Sequence, residues 1–252
     1  MRFGLPRQRA VLAITLVVSS VLSPAHALAQ SPLGQSASQN AARVAPVNHA
    51  QATLEAKLTL RVYNYARLDS MSLTLSEKIA AAIFQNVGIE TVWVDCPVSK
   101  EKSSAYLDCQ SDMGTSDLVL RILPRRMALK LLHRHDTLGF AQICPETEPA
   151  CELNVFYHQI DELAARGYRG DRILGYAMAH EMAHVLIGPA HSEEGIMRGE
   201  WTPTDLQRIS LGLSLDFSNS QSSQLRNAVF RRTTTPVLQE FAQAKQQTRC
   251  QP

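Results

Sequence analysis

The sequence predicts one α+β domain with a mixed, twisted sheet, and three observations predict it. Alternating apolar segments of strand length crowd the first part of the ordered region, with one helical stripe between the first two. A long apolar helix and two further helical segments follow them. The chain left after its N-terminal segment, about 220 residues, suffices for one core.

Order begins at KLTLRVYNYARL. There Leu58, Leu60 and Val62 alternate with Thr59, Arg61 and Tyr63 as on a half-buried strand, until the pattern lapses at Asn64. In LTLSEKIAAAIFQNVG, Ile79, Ile83, Phe84 and Val87 share a helical stripe and Gly88 supplies the stop. ETVWVDC and SDLVLRILP read as the second and third strands. RRMALKLLHRH reads as a short helix or irregular insert, LGFAQIC as another strand and ELNVFYHQI as the last. DRILGYAMAHEMAHVLIG is apolar nearly all round, which marks a buried helix, and Gly188 with Pro189 ends it. TPTDLQRISLG and SNSQSSQLRNAVFRR read as helices, and the tail from Thr233 as poorly ordered.

The first residues set the compartment. Arg2, Arg7 and Arg9 precede the apolar run AVLAITLVVSSVL and the small-residue stretch SPAHALAQ, the layout of a secretory signal cut after Ala27 or Ala29. That run is too short to span a bilayer, and no later stretch offers a membrane anchor. The expected organisation is a signal peptide at 1–29, a flexible leader or short propeptide at 30–56, the domain at 57–232 and a tail at 233–252. Losing the signal leaves 22 basic residues against 23 acidic, a net charge of −1. Nothing in that balance favours nucleic acid, and RRMALKLLHRH reads as a solvated face. His133 and His135, two residues apart, do not face one point on a helix.

Five cysteines suit export to an oxidising compartment. Cys96 with Cys109 and Cys144 with Cys151 each bracket a short loop, so these two disulfides are expected. Neither pair has the C-x2-C spacing of a zinc site. Cys250 is left over, either free or paired to a second copy.

The chemistry gathers in AHEMAHVLIGPAHSEEGIMR. Residues four apart on a helix share a face, so His180 and His184 can aim ring nitrogens at one ion. Glu181, next to the first ligand, reaches a water on that ion and can carry its proton without coordinating. Two imidazoles and a carboxylate inside an apolar helix are costly unless something partners them, and a zinc ion does so. After the break at Gly188, His191 is the first residue able to supply a third ligand. Glu193, Glu194, Glu200 and Asp205 are the alternatives.

This stretch resembles the metzincin metallopeptidases, whose pattern is H-E-x-x-H-x-x-G-x-x-H followed by a methionine turn. His180, Glu181 and His184 match directly; Gly188 and His191 keep their mutual spacing but stand one residue further along. One added residue brings about 100° of rotation and 1.5 Å of rise, which a turn through Gly188, Pro189 and Ala190 can absorb. Met197, six residues after His191, stands where the methionine turn lies. Across GIMR and Trp201 the chain is also similar to secreted bacterial zinc-dependent peptidases.

The resemblance is specific from His180 to Trp201 and covers residues 57–232 loosely. It implies a zincin-like domain whose edge strand, Asn154, Val155, Phe156 and Tyr157, lies over the cleft and takes an extended peptide as an added strand. It also implies one zinc ion. The tyrosine that some members carry after the methionine is absent, with Arg198 and Gly199 in its place. Tyr157, His158 and Tyr176 read as packing or strand residues.

The function expected is a secreted zinc endopeptidase. A zinc-stabilised binding module without catalysis, a metal-free disulfide-stapled domain, and a zinc amidase or esterase acting on a non-protein substrate are the alternatives. Glu181 speaks against the binding module, because a purely structural site has no use for it.

Overall fold

Leu58, Leu60 and Val62, the alternating residues of the first strand, are all buried, and they belong to β1 (Lys57–Asn64). The structure, a computed structural model, describes residues 56–99, 104–131 and 137–249. The signal segment, the leader up to residue 55, His133, His135 and Cys250 lie outside them. Among the described residues no helix is long and apolar enough to cross a membrane.

β1 is followed by α1 (Ser70–Gln85), β2 (Glu90–Cys96), β3 (Asp117–Leu123), α2 (Arg125–Leu131), β4 (Gly139–Ala141) and β5 (Cys151–Phe156). Then come α3 (Tyr157–Ala165), α4 (Gly170–Ile187), α5 (Pro203–Leu211) and α6 (Asn219–Arg249). The sheet order is β2-β1-β3-β5-β4. The first four strands run parallel, and β4 alone is antiparallel to its neighbour. The expected α+β class with a mixed sheet is what the chain forms.

Registers put Leu60 beside Leu118 and Leu120 beside Leu153, so one face of the sheet is a continuous apolar layer under α1 and α4. Each fully buried Leu, Ile or Val there contributes roughly 1.5–3 kcal/mol. The opposite face is more polar and carries Arg61, Arg121 and Glu152, with a small second cluster of Leu123, Ala128 and Phe156 under α2.

α1 starts earlier than its apolar stripe, because Asp69 caps it by accepting from the Ser72 N–H at 2.9 Å. Its buried face is Leu73, Ser76, Glu77, Ala80 and Phe84, while Ile79 and Ile83 are only partly buried. Where α1 crosses α4, a Cβ on Gly175 would lie 2.7 Å from the Ser76 carbonyl oxygen, so only glycine permits this approach. The Ser76 hydroxyl sits 2.9 Å from the Asp171 carbonyl and fixes the same crossing.

Both expected disulfides are present, Cys96–Cys109 and Cys144–Cys151. The second closes the loop joining β4 to β5, and Arg232 of α6 reaches into that loop to donate to the Cys144 carbonyl at 3.0 Å.

Three expectations need correction. Asn154, Val155 and Phe156 are not an edge: β5 is flanked by β3 and β4, and the edge on that side is β4. Tyr157 leaves the strand altogether and opens α3, because Ile160 and Leu163, three apart, bury a helical face there. The last helix also fails to end near Arg232; α6 runs through Pro236 to Arg249.

Candidate metal centre

α4 is buried almost throughout, from Ile173 to Leu186, so the histidines it carries are held by packing on every side but one. That open side is a cleft of about 470 Å³, with residues 137–143 along one wall and Ala177, His180, Glu181 and His184 in its floor. Pro189 and His191 complete it.

Each helical imidazole is oriented by a backbone carbonyl. His180 Nδ1 lies 2.7 Å from the Ile196 oxygen and His184 Nδ1 lies 2.9 Å from the Gly188 oxygen. A carbonyl only accepts, so both Nδ1 atoms carry hydrogen and both Nε2 atoms present lone pairs. His191 arrives from beyond the turn. Its Nε2 lies 3.1 Å from that of His184, which is itself 2.9 Å from His180 Nε2. The three donor atoms fall within 4.8 Å of one another.

Among the described residues this is the one cluster of at least three His, Cys, Asp or Glu side chains with converging donors. Asp205, an alternative ligand, is committed elsewhere: it closes a capping box with Thr202 and pairs with Arg198 at 2.7 Å. Glu193, Glu194 and Glu200 do not join the cluster.

The turn that delivers His191 has identifiable parts. Gly188 sits at φ 90°, ψ −174°, a conformation open essentially to glycine alone, and so redirects the chain after Ile187. Met197 is fully buried, and its carbonyl accepts from Ser192 N–H at 2.9 Å, closing the loop behind His191. The Ile196 carbonyl also accepts from Trp201 Nε1 at 3.1 Å, and the indole stands edge-on to His180 with centroids 5.9 Å apart. His191 lies against Gly199, where a Cβ would sit 3.1 Å from its ring.

Burial pushes His180 down to about 3 and lowers His184 and His191 as well, so all three rings are neutral at physiological pH. Burial alone pushes Glu181 up to about 8. Glu181 has no hydrogen-bond or ion-pair partner among the described residues, although it is 6 % exposed.

The donor set fits zinc. Neutral lone pairs facing one another at these distances repel unless a cation lies between them. Nitrogens sharing one tetrahedral ion at 2.0–2.1 Å stand about 3.3 Å apart, near the 2.9 and 3.1 Å that separate His184 Nε2 from those of His180 and His191. Three protein ligands are one fewer than the four that close a structural zinc site.

His180, Glu181, His184, His191 and Met197 therefore come together. Asn154, Val155, Phe156 and Tyr157 do not line the cleft, and neither do His158 and Tyr176. Tyr176 packs edge-on against Trp201, and its hydroxyl accepts from Leu215 N–H at 3.3 Å. Sequence reasoning missed Gly139, Gly199 and the Ile196 carbonyl. For Gly139 a signal existed, since an isolated glycine inside a strand marks close approach of another group.

No family model matches the chain, and no curated protein matches it. Among solved structures it is similar to archaemetzincin from Methanopyrus kandleri, at 16% identity over 71% of this chain and 98% of that one, with a TM-score of 0.42. It is similar to metalloproteinase-II from Bacteroides fragilis at 11% identity over 71% of this chain, TM-score 0.44. There the match spans only 55% of the relative's length. Myroilysin is similar at 12% identity over 66% of this chain and 70% of its own, TM-score 0.29. At such distance the site's own geometry carries the chemistry.

Proposed function

We propose that this chain is a zinc-dependent peptidase that works outside the cytoplasm. The observation that carries the reading is the convergence of three imidazole Nε2 atoms beside an unpartnered carboxylate in the floor of an open cleft. His180, His184 and His191 would hold zinc, which would supply Lewis acidity and lower the pKa of a nearby water. Glu181 would take a proton from the attacking water and hand it to the leaving amine.

The peptide lies along β4. Phe156 N–H donates to Leu138 and Gln142 N–H to the Glu152 carbonyl, at 2.8 and 3.0 Å, so this alternate set of β4 backbone groups is spent on β5. In an antiparallel pair the intervening residues turn their N–H and C=O the other way. Gly139 and Ala141 therefore present theirs to the open edge, where an extended substrate adds as a further strand. Among the described residues that line the cleft, only Glu181 and the histidines are ionisable, which suits apolar substrate residues.

Two disulfides and the N-terminal signal pattern support work in an oxidising compartment. The test is zinc content together with digestion of a mixed peptide library by wild type and His191→Ala. Wild type should hold one zinc per chain and cut peptides, and the variant should lose both. A wild type that binds zinc yet cuts no peptide sinks the peptidase reading and leaves a binding module or an enzyme for other amides.

A further inference from the structure

We propose that Gly139 is a positioning residue for Glu181, and that the absence of a side chain in the middle of the cleft wall sets the catalytic carboxylate in place. This role rests on the peptidase reading above. A Cβ built on Gly139 would lie 2.6 Å from Glu181 Cγ, 2.6 Å from Glu181 Oε1 and 2.8 Å from the Asn154 carbonyl oxygen. All three distances are well inside van der Waals contact, so even one methyl group forces either the carboxylate or the strand to move.

The carboxylate is unusually dependent on this contact. A buried acid is ordinarily held by hydrogen bonds, but Glu181 has no such partner among the described residues. What confines it is packing: α4 on one side and the bare backbone of β4 on the other. Gly139 is paired with Val155 in the sheet, and β5 lies against α4, so the wall cannot back away without breaking ladder bonds. Gly139 also has no left-handed φ, so alanine suits its own torsions, and the strain of its methyl group falls on Glu181 and on the Asn154 carbonyl of β5. The glycine is required by what faces it, not by the turn of the chain.

The experiment compares wild type and Gly139→Ala for zinc content, kcat and KM on a cleaved peptide, and for structure by crystallography. The expected result is zinc retained and kcat lowered by roughly tenfold to a hundredfold, the range for a misplaced catalytic group. The crystal structure should show the Glu181 carboxylate displaced while the three imidazoles keep their places. An unchanged kcat, a loss confined to KM, or a Glu181 that has not moved overturns the role. A wild type that cuts nothing removes the peptidase reading and this role with it. Cleavage by wild type with full kcat in Gly139→Ala removes this role alone.

Discussion

Arg232 and Glu181 are buried to a similar depth, 1 % and 6 % exposed, and the fold treats them in opposite ways. The Arg232 guanidinium donates to the carbonyls of Thr115, Cys144 and Pro145 at 3.1, 3.0 and 3.4 Å. It is a fastener, joining α6 to the loop that the Cys144–Cys151 bridge closes. Glu181 has no such partners among the described residues and faces the cleft. A buried ionisable group whose partners are all protein holds the chain together. One left without partners, beside converging imidazoles, is kept for something that comes from solvent.

The largest effect that can break this contrast is on rate. Glu181→Gln keeps the size of the side chain and removes its basicity, so hydrolysis should fall about 10²–10⁴-fold with zinc content unchanged. Peptide turnover at the wild-type rate would return Glu181 to the class of ordinary core residues. Next in size, Arg232→Met should cost about 3 kcal/mol in urea unfolding, since it orphans buried carbonyls, while kcat of the folded protein stays the same. A large drop in kcat with little loss of stability would place Arg232 in the other class.

The smallest effect concerns Glu77, a buried acid that belongs to neither class. Its Oε1 lacks a partner, and burial together with the neighbouring Asp95 carboxylate pushes it up to about 8. A folded-state pKa above the unfolded value means the native protein holds a proton that the unfolded chain releases. Stability from this group is therefore full below about 4.5 and declines as pH rises to about 8. Melting temperatures measured across that window should fall for wild type and fall less for Glu77→Gln. Parallel curves for the two proteins would show that Glu77 titrates normally.

Much of this architecture was legible because it is local. ETVWVDC became a strand with the bounds its pattern implies, the two cysteine pairs closed short loops, and the apolar belt around His180 and His184 marked a helix buried on all sides. The order of the strands was not legible. It depends on β4, three residues long, folding back onto β5 after a nine-residue loop, and a segment so short carries almost no periodicity. That misplacement also moved the expected substrate edge onto Asn154 to Tyr157. The ligand triad could be read from four-residue spacing and a turn. The lone glycine in its strand signalled a close approach at Gly139, but not that Glu181 makes it, because the two are forty-two residues apart and meet only through tertiary packing.

The turn at Gly188 has a consequence for how relatives of this chain are found. Its backbone geometry ties the glycine to the third histidine, while the helix before it gains a residue and still delivers His184 to a carbonyl of that same glycine. Against the pattern H-E-x-x-H-x-x-G-x-x-H, the added residue of this chain falls between the second histidine and the glycine. A search pattern anchored on glycine-to-histidine spacing would retain this protein, whereas one with a rigid gap after the second histidine passes over it.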